Sequence, residues 1–329
     1  MKLSPEWLAL EEGWGSRPKI RGALEDLRSG YEQLSELVRI KELEPWAQSV
    51  NVRDEVIEGG LRVRIYTPET VQQGQQAPLG VYAHGGGYTV GGLDTSFEDH
   101  LCRYISHHAP CILVAVGYRR APEYPVPSQL YDYFGGYNWA WANAKTLGSS
   151  QDNVFAIGAS CGGGLAIAVA LKYLEYGLPG RVQGVVALAP MTIHPDFVPE
   201  KYRPYLRSWE ENCDGPVVDF EGMLVFQDLN GATAMKRSPD VFPALHDRLA
   251  ELPPTYIATC GADVIRDDGT IIKHELDKFG VACQLDNYEA LPHFFWIYPE
   301  IPEGVEFRQR TAAAVNWVLG QRKRAPGVH

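Results

Sequence analysis

The sequence predicts an α/β fold with a mostly parallel, doubly wound sheet, because strand and helix patterns alternate from residue 79 onward. Two glycine-framed motifs end predicted strands. His-Gly-Gly-Gly at 84–87 follows the apolar run 78–83, and Gly-Ala-Ser-Cys-Gly at 158–162 follows the apolar run 153–157. Ligand sites in such sheets lie at the carboxyl ends of the strands. We therefore expect both motifs at one edge of the sheet.

The apolar patterns set the expected bounds of the elements. The parallel strands are predicted at Leu79–Ala83, Ile112–Val116, Val154–Ile157, Val182–Leu188, Thr255–Thr259 and Gln284–Tyr288. The helices are predicted at Phe97–His107, Gln129–Ala144, Gly162–Tyr176, Asp268–Phe279 and about Glu306–Leu319. Several of the strands are continuous apolar runs, which is typical of strands covered on both faces. Upstream, residues 49–66 alternate around a Glu-Gly-Gly turn, which predicts a hairpin.

Two regions outside this alternation predict a helical cap. Residues 1–48 are polar and helix-like, and residues 195–250 are too long for a simple connection. The expected core is therefore 49–194 with 251–329. An apolar stripe at three- and four-residue steps is formed by Leu24, Leu27, Tyr31, Leu34 and Leu37. This stripe fits a helix packed on the core and equally a cap over a pocket, and the two interpretations are compatible.

Composition argues against several classes of protein. The chain has 329 residues and a net charge of −11, which argues against binding nucleic acid through a broad basic surface. We expect no membrane span and no signal peptide, since no apolar stretch is long enough for either. The cysteines lack the paired spacing of disulfide or zinc sites, so we expect buried thiols, no metal and a cytoplasmic protein. These cysteines are Cys102, Cys111, Cys161, Cys213, Cys260 and Cys283.

The glycine motifs together point to acyl transfer. Ser160 is placed on a tight turn between a strand and a helix, as a candidate nucleophile, and the first motif offers N–H groups to a developing oxyanion. A serine hydroxyl needs a general base, and histidine has a suitable pKa. Of nine histidines, His293 follows the last strand at the expected edge of the sheet. The alternative interpretation of His293 is a loop histidine satisfied by local contacts.

Three aspartates compete to orient that base. Asp263 ends the penultimate strand and is therefore expected at the same edge as Ser160 and His293. Asp267 and Asp268 follow within a turn. We expect these two to cap free N–H groups at the start of a helix, where carboxylates are favourable.

Four segments carry a family resemblance. Residues 84–88 resemble an oxyanion loop, and residues 117–127 resemble a Y-R-L-A-P-E-x-x-x-P segment. Residues 252–255 resemble an L-P-P strand entry, and residues 261–269 resemble a D-x-L-R-D-x-G acid segment. All four are similar to the hormone-sensitive-lipase-like branch of the α/β-hydrolases. The resemblance runs from about Val63 to the last helix.

The resemblance implies an α/β-hydrolase fold and serine hydrolase chemistry without a cofactor. It selects Asp263 as the acid of the triad, and His293 follows after a fitting interval of 30 residues. It also assigns the oxyanion hole to the N–H groups of Gly85, Gly86 and Cys161.

Two residues beside the serine depart from the family pattern. Ala159 stands where the family usually has Asp or Glu, and Cys161 stands where it usually has Ala. Neither change removes a triad residue or a backbone donor, but we expect lower turnover on generic esters. Cys161 is interpreted as a small buried residue rather than as the nucleophile.

We therefore predict a serine carboxylic-ester hydrolase that acts on a small to medium apolar ester through an acyl-enzyme. The expected partner is the small-molecule ester, and the assembly is left open, a homodimer included. The altered residues beside Ser160 motivate an alternative, a non-hydrolytic cyclase, dehydratase or acyltransferase of specialised metabolism. A ligand-binding receptor is the weaker alternative, because the triad histidine is retained.

Overall fold

The computed structural model describes residues 1–37, 44–71 and 76–321, and its described part contains one eight-stranded sheet. The strands are β1 (Val50–Val56), β2 (Arg62–Pro68), β3 (Leu79–Ala83), β4 (Ile112–Gly117), β5 (Val154–Ala159), β6 (Val185–Leu188), β7 (Thr255–Cys260) and β8 (Cys283–Tyr288). Their order is β1-β2-β4-β3-β5-β6-β7-β8. β2 pairs antiparallel with β1 and β4, and the remaining neighbours pair in parallel, which confirms the predicted fold class.

Eleven α-helices surround the sheet in the described part of the chain. They are α1 (Pro5–Trp14), α2 (Leu24–Leu37), α3 (Pro45–Gln48), α4 (Ser96–His108), α5 (Ser128–Ala142), α6 (Ala144–Leu147), α7 (Cys161–Glu175), α8 (Ser208–Glu211), α9 (Phe220–Leu229), α10 (Arg266–Lys278) and α11 (Glu303–Gln321). None of these described helices is both long and apolar enough to cross a membrane. The basic residues 322–324 lie outside the described residues.

The sheet is buried on both faces because side chains alternate along each strand. On one face Val81 and Val114 belong to a core that includes residues of α5, α7 and α10. On the other face Tyr82 and Leu113 belong to a core that includes residues of α4 and α11. Continuous burial of the central strands explains their unbroken apolar sequences.

The observed bounds differ from the predicted ones mainly at β6. The prediction began this strand at Val182, but regular pairing begins at Val185, opposite Ala156 of β5. The expectation that every cysteine is buried is also wrong. Cys213 is exposed in the turn between α8 and α9, and Cys283 is half-buried because β8 is an edge strand with one neighbour.

The N-terminal segment and the long insertion meet above the carboxyl edge of the sheet. We call residues 17–21 and 213–222 the cap seam. Within it, the N–H of Ile20 donates to the carbonyl of Val217 at 2.9 Å, and the N–H of Val217 donates to the carbonyl of Pro18 at 2.7 Å. Lys19 and Arg21 both form ion pairs with Asp219. These contacts join two regions that are far apart in the sequence.

Candidate active site

Ser160 lies on a sharp turn between β5 and α7, with φ of 57° and ψ of −124°. The flanking glycines make this turn feasible. A Cβ on Gly158 would lie 2.2 Å from the carbonyl oxygen of Gly162, and one on Gly162 would lie 2.1 Å from that of Ala83. Both positions therefore exclude any side chain. Ala159 points into the apolar core on the α4 and α11 face, where its methyl group is fully buried.

The structure brings Ser160, Asp263 and His293 together. His293 Nε2 lies 3.0 Å from Ser160 Oγ, and His293 Nδ1 lies 2.6 Å from Asp263 Oδ2. All three side chains follow strands at the same edge of the sheet, after β5, β7 and β8 respectively. Because the carboxylate accepts the Nδ1 proton, Nε2 is left to accept the proton of the serine hydroxyl. Phe294 contacts the His293 ring at 4.5 Å between centroids and helps to enclose it.

The loop that carries Asp263 is held by a residue of the insertion that sequence reasoning missed. The side-chain amide of Asn212 donates to the carbonyl of Gly261 at 3.1 Å and to that of Asp263 at 2.9 Å. Asp263 Oδ1 also accepts the N–H of Ile265 at 3.1 Å. Asn212 is buried, and no pattern around it in the sequence distinguishes it from other polar residues of the insertion.

Asp267 and Asp268 do not cap their own helix, which corrects the expectation from the sequence. Asp267 Oδ2 accepts the N–H groups of Arg207 and Ser208, both at 2.7 Å. Asp268 Oδ2 accepts the N–H of Thr192 at 2.6 Å, and its carboxyl is buried. The first turn of α10 faces two other segments, and its carboxylates accept backbone N–H groups of those segments and stabilise them instead.

The oxyanion loop differs from the expectation at Gly85. Its N–H donates to Glu98 Oε1 at 2.9 Å, so it is directed away from an oxyanion at Ser160. The other oxygen of Glu98 accepts the hydroxyl of Tyr82. Gly86 and Gly87, in contrast, line the cavity that contains Ser160. Burial raises the pKa of Glu98 above its usual range.

Cys161 and His84 have roles other than nucleophile and base. The Cys161 thiol accepts the N–H of Tyr88 at 3.3 Å, and burial raises its pKa to about 11, so it is protonated at neutral pH. The His84 ring stacks on Tyr118 at 4.0 Å between centroids. Burial lowers the pKa of His84 to about 4, so this histidine remains neutral and supports the loop by packing.

The cavity over Ser160 is small and largely apolar, with a volume of about 40 Å³. Residues from the N-terminal region, the oxyanion loop, the insertion and the core contribute to it. They are Ile20, Tyr31, Gly86, Gly87, Ser160, Met191, Val218, Met223, Phe226, Ile265, His293 and Phe294. A volume of this size holds about one water molecule.

Comparison with known proteins agrees with this geometry. Residues 80–297 match a family model described as an α/β-hydrolase fold. The chain belongs to the α/β-hydrolase family. The predicted resemblance to its hormone-sensitive-lipase-like branch is confirmed, and the protein is a carboxylesterase-type hydrolase.

Two relatives and one solved structure illustrate the similarity of this hydrolase to others. Versiconal hemiacetal acetate esterase of Dothistroma septosporum is 35% identical over 98% of this chain and 97% of its own. Esterase LipI of Mycobacterium tuberculosis is 30% identical over 88% of this chain and 89% of its own. The crystal structure of vibralactone cyclase is 25% identical, covers 97% of this chain and 96% of its own, and has a TM-score of 0.86.

Proposed function

We propose that this hydrolase cleaves a small to medium apolar ester through an acyl-enzyme on Ser160. The observation that carries the proposal is the continuous contact from Asp263 through His293 to Ser160 at the floor of an apolar cavity. A serine next to an imidazole that is itself bonded to a buried carboxylate is the arrangement that activates a hydroxyl for attack on a carbonyl.

Each residue has a defined step in this mechanism. His293 removes the proton of Ser160 as the oxygen attacks the ester carbonyl, and Asp263 stabilises the imidazolium that forms. His293 then gives the proton to the departing alcohol. Water attacks the acyl-enzyme with the help of the same imidazole and releases the acid.

We assign the oxyanion donors to the N–H groups of Gly86, Gly87 and Cys161. Gly85 is replaced by Gly87 in this assignment, because the Gly85 N–H already donates to Glu98. Two observations support the choice: both glycines line the cavity, and the Cys161 N–H lies at the start of a helix directly after Ser160. Losing one oxyanion donor typically costs roughly 10²–10³ in rate.

A short acyl group fits the site best. The cavity is small, and Met191, Met223, Phe226 and Ile265 present apolar surface to it. Met side chains adapt their shape readily, which lets the pocket adjust to its substrate. The relative from Dothistroma septosporum is named for an acetate ester, which agrees with a short acyl group for this chain.

The test is hydrolysis of p-nitrophenyl esters of increasing acyl length by the wild type and by Ser160→Ala. We expect turnover that is greatest for short acyl groups and that is lost in the variant. Ser106→Ala is the matched control, because Ser106 is buried and donates to the carbonyl of Cys111 outside the site. Equal turnover by Ser160→Ala and the wild type would contradict the proposal.

A non-hydrolytic reaction is the second candidate, and the similarity to vibralactone cyclase favours considering it. In such a reaction a hydroxyl of the substrate, in place of water, would attack the acyl-enzyme and form a lactone. The largely apolar lining of the cavity supports this candidate, because it offers few polar groups to hold an attacking water. The reaction in ¹⁸O-labelled water separates hydrolysis from cyclisation. A hydrolase incorporates label into the acid, and a cyclase yields unlabelled lactone.

A further inference from the structure

Tyr31 lines the cavity over Ser160, and its hydroxyl is unpartnered. This hydroxyl is buried and has no hydrogen-bond partner within the described parts of the chain. The other polar side chains that line the cavity, Ser160 and His293, are bonded to each other. A buried hydroxyl without a partner is unfavourable, because it gives up its hydrogen bonds to water. A phenylalanine would fill the same space without this loss.

Helix α2 holds Tyr31 in a fixed position against the core. On one side of Tyr31, the guanidinium of Arg28 donates to the carbonyl of Ala121 at 3.1 Å. On the other side, the hydroxyls of Ser35 and Ser96 lie 3.0 Å apart. The helix is therefore attached to the core within one turn of Tyr31 in both directions, so its phenol is well placed to orient a ligand.

The phenol ring also lies against the oxyanion loop. A Cβ added to Gly91 would lie 3.3 Å from Tyr31 Cε1 and 2.9 Å from the carbonyl oxygen of Gly85. The absence of a side chain at Gly91 thus allows the ring to approach the loop. On its other side the ring packs edge-on against Phe97, with centroids 5.4 Å apart. The ring therefore lies between the oxyanion loop and Phe97, at the wall of the cavity that also contains Gly86 and Ser160.

We propose that Tyr31 determines specificity by a hydrogen bond to an oxygen atom of the substrate outside the scissile ester group. The substrate class is then an ester that carries an additional hydroxyl, carbonyl or ether oxygen, with apolar surface elsewhere. This inference rests on the ester hydrolysis proposed above.

The phenol acts as a neutral donor in this arrangement. Burial raises the pKa of Tyr31 well above its ordinary value, and the nearby Glu98 carboxyl acts in the same direction. Tyr31 therefore keeps its proton at the pH where His293 works as a base. It binds and orients the substrate and takes no part in proton transfer.

Tyr31→Phe tests the inference with matched pairs of esters. Ethyl butanoate is compared with ethyl 3-hydroxybutanoate for the acyl side, and butyl acetate with 3-hydroxybutyl acetate for the alcohol side. In at least one pair we expect kcat/KM to fall about 3- to 10-fold more for the hydroxylated ester, the loss of one neutral hydrogen bond. Equal losses for both members of both pairs would overturn the inference.

Tyr137→Phe is the matched control, because Tyr137 is buried and its hydroxyl donates to the carbonyl of Val154 far from Ser160. This control should lower thermal stability without changing the preference within either pair. A preference that changes equally in Tyr137→Phe would also overturn the inference.

A binding measurement separates this inference from the proposed function. The same esters are titrated calorimetrically into Ser160→Ala, with Tyr31 present or changed to Phe. Weaker binding of a hydroxylated ester by about 3- to 10-fold supports the role of Tyr31, even if the wild type hydrolyses none of the esters. Unchanged relative affinities, or no binding by any of the four esters, would overturn it. Failure of the proposed function is read separately, from turnover that does not depend on Ser160.

Discussion

The edge of the sheet that carries Ser160, Asp263 and His293, here called the catalytic edge, and the cap seam above it are held by different contacts. Ser160, Asp263 and His293 are almost fully buried and follow strands that are fixed by backbone hydrogen bonds. In the cap seam, two backbone hydrogen bonds at Val217 are supplemented by ion pairs in which Lys19 and Arg21 remain partly exposed. Exposed ion pairs contribute little individually and weaken with salt.

This difference implies a division of labour between the two regions. Changes at the catalytic edge should reduce kcat, because the reacting groups are aligned there. Changes in the cap seam should raise KM, because α9 begins in the seam and carries Met223 and Phe226 into the cavity.

The largest effect is expected for Asp263→Asn. The amide cannot hold the Nδ1 proton of His293 as a carboxylate does, so the imidazole loses its orientation and the stabilisation of its charged form. We expect kcat to fall by roughly 10⁴-fold, as at other triads of this type, with little change in thermal stability. Single-turnover kinetics with a p-nitrophenyl ester measure this loss.

Asp267→Asn is the matched control for that variant. Asp267 accepts the N–H groups of Arg207 and Ser208 and does not contact His293. We expect it to lower the melting temperature and to change kcat by less than about 10-fold, since only support for the insertion is lost. A larger loss of kcat in Asp267→Asn than in Asp263→Asn would reverse the assignment of the acid.

Glu98→Ala is expected to have the next largest effect. It removes the acceptor of the Gly85 N–H and of the Tyr82 hydroxyl, and so frees the loop that positions Gly86. A displacement of the oxyanion donors by about 1 Å can cost roughly 10²-fold in rate, and we expect a fall in kcat of that order. Glu98→Gln keeps an acceptor for Gly85 and should recover most of the activity. Equal losses in both variants would contradict this positioning role.

The pH dependence of stability gives an independent test of Glu98. Burial raises its pKa above 4.5, so the folded protein binds this proton more tightly than the unfolded chain does. Stability contributed by protonated Glu98 is therefore complete below pH 4.5 and is lost as pH rises through the folded-state pKa. Glu98→Gln has no carboxyl to deprotonate, so it does not lose this stability as pH rises. Its melting temperature relative to wild type should rise with pH above 4.5, and a constant difference would contradict the burial argument.

Much of the catalytic edge could be predicted because its signals are local in the sequence. Unbroken apolar runs identify buried parallel strands, and glycines on both sides of Ser160 identify the tight turn. His293 and Asp263 could then be proposed because each follows a strand, and the family resemblance chose Asp263 over Asp267 and Asp268. The contacts of His293 with Ser160 and with Asp263 agree with that reasoning, since parallel strands place their carboxyl ends together.

The contacts that escaped prediction join segments that are distant in the chain. The side chain of Asn212 reaches Asp263 across 51 residues, and the carboxylate of Asp268 reaches Thr192 across 76. No periodic pattern marks such partners. Gly85 was assigned to the oxyanion hole because sequence does not show the direction of an N–H group. That direction depends on Glu98, thirteen residues further on.

In the cap seam, Asp219→Ala should raise KM about 10-fold and change kcat by less than about 3-fold. The buried Asp219 carboxylate accepts the N–H of Gly222 at 2.8 Å at the start of α9 and pairs with Lys19 and Arg21. Losing the helix cap alone costs about 1 kcal/mol, which loosens the helix that lines the cavity. Glu221→Gln is the control, since Glu221 is 75% exposed and pairs only with Arg21 among the described residues. A fall in kcat at unchanged KM would break the division between the two regions.

The smallest effect is expected at Asp54, in the hairpin at the edge of the sheet. Arg64 and Arg62 lower the pKa of Asp54 to about 2, so its contribution is present above pH 3.8 and is lost as pH falls through about 2. The side chain is 35% exposed, and solvent screening limits the cost of Asp54→Asn at neutral pH to less than about 1 kcal/mol. Urea unfolding at pH 7 and pH 2 measures this loss in the free energy of unfolding, with Glu55→Gln as a control on the same strand. A cost at pH 7 several times larger would show that exposed ion pairs also stabilise the sheet. The contrast between the buried catalytic edge and the ion pairs of the cap seam would then be lost.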